Sequence, residues 1–144
     1  MLYAVKSRDI GSIMKKLFIL LLVALIVFLL TPQSVRIMQR GISSHEKSAW
    51  TPVAQYQLGG FCFCTLKYSQ AIRCYRIFIN KYPRENSSKL AKAMFRTGIS
   101  YGRIKNYSAA IEAYERLVRT HPSSEFANRA KSQANKLRML HLSN

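Results

Sequence analysis

Apolar residues are distributed in two different ways along this 144-residue chain. From Leu17 to Leu30 they run without a break, LFILLLVALIVFLL, so a helix there has no polar face and does not read as a half-buried helix of a soluble domain. From Thr51 onward they recur among polar residues at the three- and four-residue spacing of helices that bury one side. Proline and capping residues cut that second stretch into pieces. Thr51 with Pro52 starts a helix to about Thr65, and a turn at Lys67 leads into one from Ser69 to about Lys81, stopped by Pro83. Ser88 caps a helix to about Arg103, a turn lies at Lys105 and Asn106, and a helix from about Ser108 to Thr120 ends before Pro122. Ser124 to Leu140 forms one more, with Phe126, Ala127, Ala130, Ala134, Leu137 and Leu140 on one side. Gln33 to Ala49 is polar and serine-containing, and reads as a tether or loosely helical linker. The expected architecture is all-α: a basic segment 1–16, an apolar helix 17–32, a linker 33–50, helical hairpins at 51–83 and 88–122, and a capping helix at 124–140.

The apolar run has the marks of a targeting segment. Lys15 and Lys16 precede it, with Lys6 and Arg8 further upstream. Fourteen helical residues rise about 21 Å, short of the roughly 30 Å hydrocarbon core, which favours the apolar centre of a signal peptide. The residues that follow, TPQSVRI, offer neither a small-residue cleavage pair nor a lipoprotein cysteine, which favours an uncleaved anchor running on through Val35 with a kink at Pro32. Signal peptide and signal anchor both stand. Either carries the remainder out of the cytoplasm if the N-terminus stays inside, an orientation weakly supported by Lys6, Arg8, Lys15 and Lys16 on one flank against Arg36, Arg40 and Lys47 on the other. Met14, followed by KKLFILLL, is an alternative start to Met1.

The hairpins repeat each other. Gly59 and Gly98, Tyr68 and Tyr107, Ala71 and Ala110, Tyr75 and Tyr114, and Pro83 and Pro122 are each 39 residues apart. The types make steric sense together: each Gly lets the first helix cross the second closely, each Ala is its small partner, and each Tyr fills the groove between helices. Leu58-Gly59, Tyr68, Ala71, Tyr75 and Pro83, followed by Gly98, Tyr101, Tyr107, Ala110, Tyr114 and Pro122, resemble tetratricopeptide repeats, with Thr97 in place of the usual Leu and a period of 39 rather than 34. The stretches KYPRENSSKLAKAMFRTGISY and THPSSEFANRAKSQANKLR are similar to the periplasmic repeats of the Tol-Pal coordinator and outer-membrane assembly lipoprotein families. The resemblance implies a partner-binding concave face lined by the first helix of each hairpin. Carried over, that face holds Val53, Tyr56, Gly60 and Phe63, then Lys92, Phe95, Ile99 and Arg103, with Asn128, Lys131 and Asn135 from the cap. Tyr56, Phe63 and Phe95 would anchor apolar side chains, and Lys92, Arg103 and Lys131 would pair with carboxylates.

Charge adds a second theme. The chain has 23 Lys plus Arg against 6 Asp plus Glu, and from Glu46 onward 17 against 5, so the excess belongs to the repeats as well as to the targeting segment. Such a balance exceeds what solubility needs and attracts acidic lipid, an anionic envelope polymer, an acidic protein or nucleic acid. Nucleic acid is the least expected, since no helix-turn-helix, RNA-binding sheet or zinc spacing accompanies the charge. Cys62, Cys64 and Cys74 are expected as small packed residues, a Cys62–Cys74 bridge across the hairpin remaining open. His45, His121 and His141 have no Cys or carboxylate at catalytic spacing, so no enzyme, metal or cofactor is expected. The expected function is a non-enzymatic adaptor that binds a protein partner in the cell envelope, as an accessory subunit of a membrane complex. It is membrane-anchored facing the periplasm or cell exterior, or secreted to the periplasm after signal cleavage. Two hairpins are near the minimum for such a stack, so a partner or self-association completes it.

Overall fold

The computed structural model describes residues 2–46 and 48–142, with the side chains of residues 2–10, 29, 30, 141 and 142 excepted. Met1, Lys47 and the side chains of Lys6, Arg8 and His141 therefore lie outside the described residues. Seven helices and no strand occur among the described residues. The chain divides after Ser34 into two compact units.

The first unit is α1, Leu2–Leu30, continued to Ser34. The helix runs well upstream of the fourteen apolar residues, and its stretch Gly11–Phe28 is long and apolar enough to cross a membrane, with none of it buried. Eighteen residues rise about 27 Å, close to the roughly 30 Å hydrocarbon core, so the length argument against an anchor weakens once the helix extends toward its N-terminus. Such a helix fits a signal or an anchor. At the expected kink the helix is interrupted for one residue: α1 ends at Leu30, Thr31 Oγ1 donates to the Phe28 carbonyl at 2.7 Å, and Pro32 opens the next helix, which continues past Val35.

In the second unit, α2 spans Pro32–Ser44, from Val35 onward inside that unit. It occupies the stretch expected as a tether or loose helix. Its hold on the fold is partly polar: Gln39 Nε2 donates to Gln55 Oε1 at 2.9 Å, and Gln55 Nε2 returns the bond to Gln39 Oε1 at 3.1 Å while also reaching the Cys74 carbonyl at 2.9 Å. Gln55 is fully buried, so those bonds satisfy an amide that would otherwise be costly to dehydrate. Val35 and Ile42 join the core beside it.

Four helices then form two hairpins, α3 (Thr51–Cys64) with α4 (Tyr68–Lys81) and α5 (Ser87–Arg103) with α6 (Tyr107–Thr120). The final helix, α7 (Ala127–Leu142), packs on α6. The 39-residue correspondence extends into backbone detail. After α3 and α5 the chain passes through the left-handed region at Leu66 (φ 59°) and Lys105 (φ 61°). Lys67 N–H then donates to the Cys62 carbonyl and Asn106 N–H to the Tyr101 carbonyl, both at 2.9 Å, so each helix end closes with the same pair of reversed bonds. A side chain at that φ is strained, so Lys105→Gly is expected to raise stability by about 0.5–1 kcal/mol, the left-handed penalty less the entropy of glycine. Chemical unfolding of the full chain in detergent measures it.

α5 is capped by Asn86, whose side chain accepts from Ser88 N–H at 2.9 Å, two residues earlier than the expected Ser88 cap. α4 and α6 end where expected: Tyr82 and His121 donate back to the Phe78 and Leu117 carbonyls, and the next residue is proline in each. The core is the apolar stripe of α4 (Ala71, Cys74, Tyr75, Phe78) set against Leu58 and Cys62, repeated as Ala110, Tyr114 and Leu117 against α5. In the cap, Phe126, Ala127, Ala130 and Ala134 are buried, whereas Leu140 is exposed. The three cysteines are free; Cys62 and Cys74 are buried with their thiols in contact, and Cys64 is exposed. That contact lowers the Cys62 thiol and raises that of Cys74, where burial adds to the rise.

Candidate functional site

α3 and α5 adjoin, so the first helices of both hairpins share one open face. Four positions on each turn toward it, and they correspond at the 39-residue offset: Val53 with Lys92, Gln57 with Arg96, Gly60 with Ile99, and Cys64 with Arg103. All eight are half-buried or exposed, at the spacing of a single helix side.

Of the residues expected to bind a partner, Lys92, Ile99 and Arg103 lie together on this line. Lys131 is exposed on α7. The aromatics are placed differently. Phe95 is only 5% exposed, between Tyr114 (ring centroids 5.6 Å) and Phe126 (5.5 Å), and takes the Arg129 guanidinium on its face at 5.0 Å. Tyr56, its counterpart 39 residues earlier, is half-buried against Phe78 at 5.3 Å and Tyr75 at 6.2 Å. Both turn toward the core rather than the open face. Phe63 meets Tyr68 edge-on at 6.1 Å and supports a cation.

That cation is Arg96, which is not among the residues that the resemblance places on the face. Its guanidinium lies 5.2 Å over the Phe63 ring, and its Nη1 donates to Tyr75 Oη at 3.0 Å. It forms no ion pair with a carboxylate among the described residues. Burial pushes the Tyr75 hydroxyl up to about 12, against the pull of Arg96, so it stays neutral at ordinary pH. Arg96 could have been found from Arg103: both sit on the stripe Lys92, Arg96, Ile99, Arg103.

The open face continues to where α2 approaches α3. Met38, Ile42, His45 and Trp50 face Phe61, Cys64 and Arg96 across a groove of about 930 Å³. A cavity of about 260 Å³ involves the second helices, with Arg76, Asn80, Glu112 and Arg116 in its wall.

Residues 53–84 and 92–124 match the tetratricopeptide repeat family model, starting 39 residues apart as the sequence correspondence does. These are two tetratricopeptide repeats. No curated protein matches the chain. α2 and α7 thus flank the repeats at either end, and the open face is the surface lined by the first helix of each repeat.

The electrostatics of that face follow from where the acids are. α2, α3, α5 and α7 contain no Asp or Glu. Carboxylates elsewhere are partly engaged: Glu46 accepts from Lys81 Nζ at 2.7 Å, raising that ammonium's pKa, and Glu115 pairs with Arg138. Both pairs are exposed and contribute little to stability. No group of three His, Cys, Asp or Glu able to hold a metal ion occurs among the described residues.

Proposed function

We propose that this protein is a non-enzymatic adaptor of the cell envelope, whose repeat face binds a protein partner while α1 serves as its signal or anchor. The observation that carries the reading is the acid-free line of Lys92, Arg96, Ile99 and Arg103 along α5, continued by an uncharged α3. Basic and apolar groups alternating on one rigid helix suit recognition of a peptide chain. Support for the envelope comes from the apolar α1 and from the likeness of both repeat boundaries to periplasmic tetratricopeptide proteins. An accessory subunit docked on a larger membrane complex is the form this takes most simply, since two repeats offer a short face.

A photo-cross-linking phenylalanine at Ile99 tests it in cells. The expected result is a discrete partner adduct that disappears when Lys92→Glu and Arg103→Glu are introduced together. A reporter active only outside the cytoplasm, fused after residue 45, is expected to be active. The same adducts from a cross-linker at Arg73, on a second helix, or an inactive reporter, would overturn the reading. Attachment through charge alone to anionic lipid, envelope polymer or nucleic acid is a second reading, favoured by the 17 to 5 balance from Glu46 onward. It predicts adducts from every face, all lost at high salt.

A further inference from the structure

The groove between α2 and α3 is not a product of the repeats alone, because Met38, Ile42 and Trp50 precede the first matched segment. We propose that it is an anchor site for an acidic peptide: a bulky apolar side chain of the peptide enters between Met38, Ile42, Trp50 and Phe61, and a neighbouring carboxylate pairs with Arg96. The proposal rests on the partner-binding reading above and names the chemistry of the bound segment.

Three observations converge on it. First, the groove leaves large apolar groups bare, with Trp50 48% and Met38 42% exposed, around about 930 Å³, ample for one or two side chains. Second, Arg96 is held in place before any ligand arrives. Tyr75 Oη takes one of its donors, Phe63 supports its plane, and no described carboxylate pairs with the rest. A guanidinium fixed in this way presents the forked geometry that a carboxylate matches. Third, none of the three helices that frame the groove carries an acid, so a carboxylate meets no like charge on them. The face beyond the groove favours a peptide over an acyl chain with a phosphate head: past Arg96 it presents Ile99 and then Arg103, and an alternating acidic and apolar chain complements that order.

Trp50 is the chain's single tryptophan, so its fluorescence reports on the groove directly. Full-length protein in nonionic detergent would be titrated with acetylated peptides of equal length alternating Glu with Leu, Lys with Leu, or Glu with Ser, and separately with phosphatidylglycerol vesicles. The expected result is a saturable Trp50 shift with the Glu/Leu peptide alone, its affinity reduced about tenfold by Arg96→Gln. Met38→Glu, at an exposed wall position that does not disturb the core, is expected to abolish the shift with the helical circular dichroism unchanged. An equal response to the Glu/Ser peptide or to vesicles, or wild-type affinity in Met38→Glu, overturns the proposal. If the Ile99 adduct persists unchanged in Met38→Glu cells, the anchor site fails while the repeat-face reading survives. If Trp50 responds as expected but Ile99 yields no adduct, the failure belongs to the broader reading.

Discussion

Tyr75→Ala is expected to cost the repeat unit about 3–5 kcal/mol, the range for removing a fully buried large aromatic. The ring is completely buried and touches three parts of the structure: the backbone of α3 at Gly59, the Tyr56 ring at 6.2 Å and, through its hydroxyl, Arg96 of the next repeat. Gly59 has no side chain to move into the space left behind, so the cavity stays open and the loss falls near the upper end. Small domains have about 5–15 kcal/mol in total, so the variant is expected to be partly unfolded at ambient temperature. Tyr75→Phe separates packing from hydrogen bonding. It keeps the ring and gives up only the bond from Arg96, a loss of about 1–2 kcal/mol. Denaturant unfolding of both variants in detergent measures the two contributions, and equal losses would show that the ring's fit against Gly59 contributes nothing of its own.

Tyr75 was legible in the sequence because it recurs as Tyr114, and so was most of the fold. Five pairs at one offset, each of a residue type that matters sterically, mark two copies of one hairpin before any helix is drawn. The proline stops and the turns at Lys67 and Lys105 followed from local chemistry. α2 was harder. Its contribution to the core is split between Val35 and Ile42, seven residues apart, and Gln39, a polar residue whose burial depends on meeting Gln55 sixteen residues later. Composition alone makes such a stretch look like a tether, because a reciprocal amide pair leaves no hydrophobic signal. α1 extends beyond the unbroken apolar run for a related reason: residues such as Gly11 and Ser12 carry no apolar signal, yet the helix includes them.

The candidate face was half legible. Lys92, Ile99 and Arg103 lie on it, yet Tyr56 and Phe95 sit one position off, turned to the second helices of their own repeats and the cap. Aromatic side chains draw the eye as binding anchors, but they are also the groups a hairpin most needs inside. What separates the uses here is register: Cys64 is the residue 39 before Arg103, which places the open side of α3 at Val53, Gln57, Gly60 and Cys64. Of the aromatic groups left for a ligand, Phe61 belongs to α3 of the first repeat, whereas Trp50 comes from the end where α2 joins the stack, a place the repeat pattern does not describe.

Gly98→Ala is expected to destabilise by up to about 2 kcal/mol, although alanine is the better helix former by about 1 kcal/mol. A Cβ built at Gly98 would lie 2.5 Å from Tyr114 Cε1, 2.7 Å from Cδ1 and 2.8 Å from Cζ. Those are ring atoms of a buried side chain that Phe95 flanks at 5.6 Å, so Tyr114 cannot swing aside cheaply. Overpacking of this kind costs about 1–3 kcal/mol and outweighs the gain in helix propensity. Gly102, one turn further along the same helix, has nothing within 4 Å of its added Cβ. Gly102→Ala is therefore expected to change stability in the opposite direction, by up to about 1 kcal/mol of stabilisation. The same substitution four residues apart thus reads the close crossing of α5 and α6 without any assumption about intrinsic propensity. Combining Gly98→Ala with Tyr114→Leu supplies the remaining check: the smaller side chain vacates the space beside position 98, so the two losses are expected to fall short of their sum. Strict additivity, or stabilisation by Gly98→Ala on its own, would mean that the tyrosine does not seat against that glycine and that the repeated Gly and Tyr pairs have some other cause.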